Sequence, residues 1–301
     1  MNQWTEAVRS KLPGLELKEQ ELMKGHTTFR IGGPADYYAC PKAEELPLLL
    51  TLAKEHQIPV TVIGNGSNLL VADKGVRGLV IEIGHAMEGV SVEGRRIHAG
   101  AGALLSKVAQ AAAGAALTGM EFAAGIPGSM GGAVVMNAGA YGGEMRDILE
   151  SVEVLTQEGQ LRTLSVEDLD LGYRHSIIPE KGYLVVGATL LLNEGEEGAI
   201  RDRMAELRKQ RVEKQPLEYP SAGSTFKRPE GYFAGKLIDD AGLRGFTVGQ
   251  AQVSEKHCGF VINRGEATAE DVTTLMRRVN EIVTEKFGVS LEPEVRMIGE
   301  F

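Results

Sequence analysis

Between residues 119 and 144 the chain reads GMEFAAGIPGSMGGAVVMNAGAYGGE, with eight glycines and only two charges, Glu121 and Glu144. Glycine loses the most backbone freedom on folding, so a fold gains little from this density unless main chain must come very close to something. Close approach bares N–H groups, and rows of them form anion-binding concavities. The remaining side chains, among them Ile126, Pro127, Met130, Val134, Val135 and Met136, are apolar. Two readings fit. One is a buried crossing of glycine-rich loops. The other is a cradle for a large flat ligand with a phosphate tail.

The rest of the chain narrows the partners. Its 301 residues suit two or three domains, or one large one. A net charge of −9 with no run of lysine or arginine argues against a nucleic-acid or anionic-membrane surface. Any bound phosphate must then be held by backbone groups and a few placed cations. Cys40 and Cys258 are the only cysteines and form no CxxC pair, which points to a reducing compartment. The amphipathic N-terminus lacks an apolar signal core, and no apolar run reaches membrane-spanning length. The expectation is a soluble cytoplasmic protein. The six histidines show no ligand spacing with each other or with cysteine, so no metal site is expected.

In order, the pattern predicts a helix over 2–12, an extended run starting at Tyr37, a helix over 43–56 and a strand over 59–63. Short strands follow at 79–83, 89–93 and 95–99, then an alanine-rich helix over 103–117. Further strands are expected at 152–156, 161–164 and 183–192. The polar run 193–198 marks a boundary. Beyond it come a charged helix over 200–214, with Met204, Leu207 and Arg211 inward, and a short helix over 232–241. Strands are read at 246–253 and 259–263. Thr268 with Asp271 forms a capping box for a helix of clean 3.6-residue spacing that Gly288 ends. A last strand is read over 289–298. The fold class is α+β.

The strand 59–63 runs into Gly64-Asn65-Gly66-Ser67-Asn68-Leu69, which invites a dinucleotide-fold reading. Leu69 stands where the third glycine belongs, and no helix of adequate length fits before the strand at 79. A phosphate site here is therefore a strand–loop–strand one, with no helix dipole required.

Seven segments in order resemble one family, the UDP-N-acetylenolpyruvoylglucosamine reductases of bacterial peptidoglycan precursor synthesis. They are TFRIGGPA at 28–35, GNGSNLL at 64–70, GIPGSMGG at 125–132, NAGAYGGE at 137–144, GYRHS at 172–176, AGSTFK at 222–227 and PEVR at 293–296. The resemblance implies a two-part FAD-binding domain of the vanillyl-alcohol-oxidase (PCMH) type, then a smaller α+β substrate domain. The implied limits are a lead-in at 1–25, the FAD domain at 26–194 with lobes near 26–77 and 78–194, and the substrate domain at 199–301. The chain looks like the shorter subclass, without an extra substrate-covering loop. The implied reaction uses NADPH and non-covalent FAD to reduce the vinyl double bond of UDP-N-acetyl-3-O-(1-carboxyvinyl)-glucosamine, with hydride from the flavin N5. A monomer or weak homo-oligomer is implied. The alternative is another FAD-dependent oxidase or dehydrogenase of the same fold, acting on a sugar or an alcohol.

Residue by residue, the resemblance implies Arg174, Ser224 and Glu294 as catalytic. Arg174 offers a permanently charged planar fork for a carboxylate. Glu294 serves an enolate only if protonated or bridged by water. Ser224 is the implied proton donor, with Lys227 or a backbone dipole as its helper. Local sequence alone leaves Glu292 level with Glu294, since alternate strand residues share a face, and leaves Ser221 beside Ser224. FAD falls to Arg30, Gly64, Asn65, Gly66, Ser67, Asn68, Leu69, Gly125, Ile126, Pro127, Gly128, Ser129, Gly131, Gly132 and Asn137. Tyr141 lines the flavin or packs in the core. Tyr173, Lys214, Lys227 and Arg228 are implied for substrate, and Arg228 stands where the family often has asparagine.

Overall fold

Two helices built on leucine and alanine faces, and a sheet of alternating strands, give the first compact unit its core. The computed structural model describes residues 3–301; Asn2, within the predicted first helix, and Met1 lie outside the described residues. By contacts, residues 3–18, Tyr37–Asn65 and Gly78–Arg211 form this first unit. A five-stranded antiparallel sheet runs Leu161–Ser165, Leu149–Leu155, Leu184–Leu191, Arg96–Gly100, Val90–Glu93. The helix Leu105–Gly114 buries Leu105, Val108, Ala109, Ala112 and Ala113 in the core beneath it. Val60–Ile63 pairs in parallel with residues 79–82 of the next long strand. A parallel pair ordinarily needs a crossover helix. Here the link holds only the strand Leu69–Val71 and no helix, as the sequence predicts.

The second unit is Glu19–Asp36, Gly66–Arg77 and Val212–Phe301. The sequence reading divided the chain where composition shifts; contacts instead join two early segments to the C-terminal one. Its sheet runs Ser221–Ser224, Phe260–Asn263, Ala251–Val253, Thr247–Val248. Phe29, Ile31 and Leu70 from the early segments are buried with Val272, Leu275 and Val279 of the helix Ala269–Phe287. Leu69–Val71 pairs in parallel with Arg296–Ile298. Main chain meets main chain at these joins. A Cβ on Gly75 would stand 1.8 Å from the Pro34 carbonyl oxygen, and one on Gly66 2.0 Å from that of His26.

Several predicted elements shift. The strand read over 246–253 is a hairpin, Thr247–Val248 against Ala251–Val253, because Gly249 turns at φ 53°. The strand read over 289–298 shrinks to Arg296–Ile298, with a lone bridge from Pro293 to Phe226; proline has no N–H to extend a ladder. The extended run near Tyr37 is instead the end of Pro34–Ala39. The glycine-rich stretch contains a short helix, Met130–Val135, that was not read.

The capping box is present: Thr268 Oγ1 accepts from Asp271 N at 3.0 Å, and Gly288 ends the helix at φ 68°. A second cap was invisible in the local sequence. The Asp73 carboxylate, 196 positions away, accepts from Ala269 N at 2.8 Å and Glu270 N at 3.0 Å. Replacing Thr268 by alanine is expected to lower unfolding free energy by about 1 kcal/mol in urea titration. Asp73→Ala is expected to cost a similar ~1 kcal/mol; an unchanged midpoint would deny it the capping role.

Candidate active site

In the first unit, three segments meet at the glycine-rich loop. Gly64 follows the strand Val60–Ile63, and a Cβ there would lie 2.5 Å from Ser129 Oγ. Asn65 Nδ2 donates to Pro127 O at 2.7 Å. The loop is pinned from beneath: Leu105 N donates to Gly128 O, Met130 N to Ala103 O and Gly131 N to Ala101 O, at 2.8–3.0 Å. These bonds hold residues 128–131 rigidly while Gly125, Pro127 and Gly132 stay exposed. Ser129 is 2 % exposed, and its hydroxyl has no hydrogen-bond partner among the described residues. A buried hydroxyl left unpaired is costly. Beside a residue with no side chain, it suits an incoming anionic oxygen.

Asn137 is buried with φ 41°. Its amide donates to Gly172 O at 3.1 Å and accepts from Arg146 N at 2.9 Å. The structure thus gives this predicted cofactor residue a bracing role, because its polar atoms meet backbone. What it braces is a tight turn. Gly172 and His175 exchange backbone hydrogen bonds, leaving Tyr173 and Arg174 at the tip. Ser176 Oγ, donating to Val135 O at 2.6 Å, anchors the same turn. The Arg174 guanidinium carbon lies 5.2 Å from the Tyr173 ring centre.

In the second unit the backbone knits Ser224 to Glu294. Ser221 pairs with Ile262 and Ser224 with Phe260, so the strand carries one extra residue. That bulge turns at Gly223, φ 77°. Bulges re-aim side chains beside functional sites. Glu294 N donates to Thr225 O at 2.8 Å, and Asn68 Nδ2 donates to Glu294 O at 3.1 Å. Asn68 O in turn accepts from Arg296 N at 2.9 Å. Gly66, Ser67, Asn68 and Leu69 are therefore tied to the segment that carries Glu294.

Glu292 and Glu294 do not share an environment. Glu292 is largely exposed and forms an ion pair with Lys227, whereas Glu294 is half-buried. Arg30 sits exposed at a tight turn between the buried Phe29 and Ile31, with φ 55°. Lys214 is exposed at the end of the helix Glu197–Lys214. The Arg228 guanidinium stacks 3.9 Å over the Phe233 ring. Neither Gly223 nor Asp73 was singled out from sequence, since a bulge and a distant cap leave no local periodic signal.

Comparison with known proteins bears on these residues. The C-terminal domain model of UDP-N-acetylenolpyruvoylglucosamine reductase matches residues 215–298, and an FAD binding domain model matches 34–165. The chain is 61 % identical to the UDP-N-acetylenolpyruvoylglucosamine reductase of Agathobacter rectalis, over 100 % of both chains. This chain belongs to the UDP-N-acetylenolpyruvoylglucosamine reductase family. The family's protein from Lactiplantibacillus plantarum is 51 % identical over 98 % of each chain. The crystal structure of the family's enzyme from Thermus caldophilus superposes with a TM-score of 0.81 at 41 % identity, covering 94 % of this chain and 98 % of that one. The chain is accordingly an FAD-dependent oxidoreductase of peptidoglycan precursor synthesis with NADPH as co-substrate, and its fold class is the one read from the sequence. Within the family frame, Gly64–Leu69, residues 125–132 and Asn137 fall inside the FAD-binding match. Ser224, Lys227, Arg228 and Glu294 fall inside the reductase C-terminal match; Arg30, Tyr173, Arg174 and Lys214 lie outside both.

Gly223→Ala tests the bulge. Nothing lies within 4 Å of a Cβ there, so only backbone strain is added. The expected cost is about 1–2 kcal/mol by urea unfolding; a neutral substitution would mean the bulge does not need that conformation.

Proposed function

We propose that this chain converts UDP-N-acetyl-3-O-(1-carboxyvinyl)-glucosamine to UDP-N-acetylmuramate, with Arg174 and Glu294 stabilising the enolate and Ser224 supplying the proton. Bound FAD, recharged by NADPH, supplies the hydride that adds to the vinyl β-carbon. Negative charge then collects on the substrate carboxylate, and a proton must reach the α-carbon. Arg174 receives that carboxylate with two parallel N–H bonds, a geometry that a lysine does not reproduce. Glu294 acts in its protonated form or through a water, since two bare carboxylates repel. Ser224 delivers the proton from its hydroxyl. The observation that carries this reading is the bulged strand end holding Ser224 one residue from the Glu294 N–H to Thr225 O bond.

For the cofactor, the reading assigns Arg30, residues 64–69 and residues 125–132, with Ser129 donating its unspent hydroxyl to a phosphate oxygen. Support comes from that orphan hydroxyl facing Gly64. Residues 26–194 are read as the cofactor domain and 199–301 as the substrate domain, with Tyr173, Lys214, Lys227 and Arg228 toward substrate. The reading brings with it a cytoplasmic setting, a monomer or weak homo-oligomer, and a role in wall growth, cell shape and division.

Two sets of variants test these roles. Ser224→Ala is expected to leave flavin reduction by NADPH intact and to slow the reaction with the enolpyruvyl nucleotide about 10²–10⁴-fold in stopped flow. Glu294→Gln should show the same selectivity, and equal slowing of both half-reactions would defeat both assignments. Ser129→Ala should leave the apo-protein at least as stable as its parent and raise the FAD dissociation constant about tenfold or more. Unchanged FAD affinity on equilibrium titration would remove the phosphate role.

A further inference from the structure

The helix Glu197–Lys214 turns Ile200, Met204 and Leu207 into the first unit, and the next position on that face is Arg211. Arg211 is half-buried, and its side chain lies against the start of the loop 125–132. A Cβ on Gly125 would stand 3.3 Å from its Cδ and 3.6 Å from Nη1. Burial pushes its pKa below the usual arginine range, and nearby Tyr141 pulls it back up. No hydrogen bond or ion pair engages this guanidinium among the described residues. A desolvated charge without a partner destabilises the fold that holds it. Ser129, four positions along the same loop, holds a second polar group without a partner, its buried hydroxyl. Residues 125–132 contain no acid that could serve either one. The neighbouring cleft of about 470 Å³ presents Glu121 and Glu196, and Arg211 does not line it. Glu121 accepts instead from Thr118 Oγ1 and Gly119 N, and Glu196 from Gly198 N and Ala199 N. Two unspent donors thus meet one acid-free loop.

We infer that Arg211 supplies the positive charge that holds FAD against this loop, reaching the cofactor from beside the bare backbone of Gly125. The inference rests on the reading that gives residues 125–132 to FAD. A chain of net charge −9 must hold a bound phosphate with backbone groups and a few placed cations. Arg211, read from the sequence only as an inward position of its helix, is such a cation. FAD offers it negative charge in two places. One is the pyrophosphate, which an arginine fork binds bidentately. The other is the isoalloxazine, whose electronics respond to a charge near its ring nitrogens. Either way the missing partner is the cofactor, and the protein carries an unsatisfied cation until FAD arrives.

The test compares full-length Arg211→Met and Arg211→Lys with the parent. Three quantities are measured: the melting temperature of the apo-protein, the FAD dissociation constant by equilibrium titration, and the midpoint potential of the bound flavin. Without FAD, Arg211→Met is expected to melt at the same or a higher temperature, since a desolvated cation is gone. If the charge sits at the pyrophosphate, Arg211→Met binds oxidised FAD about 10- to 100-fold more weakly. If it sits beside the ring, the same fold-change falls on the reduced cofactor alone, and the midpoint potential drops by about 30–60 mV. Arg211→Lys should recover part of the loss in either case. Parent-like affinity together with a parent-like potential in Arg211→Met overturns the inference. A lower melting temperature of its apo-protein overturns it too, because the cation then serves the fold. Ser129→Ala, titrated alongside, separates this inference from the reading beneath it. If Ser129→Ala weakens FAD binding and Arg211→Met changes nothing, the inference falls alone; if neither changes anything, the assignment of the loop to FAD falls with it.

Discussion

The second compact unit depends on main chain lying against main chain at distances no side chain permits. Gly33, Gly66 and Gly75 each sit where a Cβ would fall about 2 Å from a carbonyl oxygen of another turn or segment. At that separation backbone donors and acceptors satisfy each other directly: Gly33 N reaches Ala72 O at 3.0 Å and Thr28 N reaches Gly66 O at 3.2 Å. Two early pieces of chain, Glu19–Asp36 and Gly66–Arg77, are locked together. Asn68 then stands in hydrogen-bond reach of the Glu294 backbone, and Asp73 in reach of the helix start at Ala269. Substitution of any of these glycines breaks the fit before it changes any chemistry.

Local signals were legible and distant ones were not. Thr268, Asp271 and Gly288 announce the start and stop of one helix because capping is settled within a few residues. The choice between Glu292 and Glu294 was not legible, since strand alternation places both on one face. What separates them is the lone bridge at Pro293 and the reach of Lys227, both products of pairing across more than 60 positions. A glycine-rich turn is written in its own residues, whereas the hairpin at Gly249 and the bulge at Gly223 exist only against partner strands.

Backbone strain follows the candidate site. Eight non-glycine residues among those described have positive φ, and four of them, Arg30, Asn137, Tyr141 and Arg174, belong to the segments read as functional. Each such residue costs on the order of 1 kcal/mol or more and persists only where its surroundings over-determine it. Arg174 shows how: Asn137 and Ser176 fasten the base of its turn through hydrogen bonds to Gly172 O and Val135 O.

The interleaving of early and late segments also sets the order in which the molecule can be made. Phe29, Ile31 and Leu70 leave the ribosome long before Val272, Leu275 and Val279, the residues that cover them. Until the last turns of the chain emerge, those early apolar groups have no permanent home, and the nascent protein must carry them exposed through most of its synthesis. Contacts of such long sequence separation slow folding. A chain cut short before Val272 would therefore lack the residues that cover Phe29, Ile31 and Leu70 in the second unit.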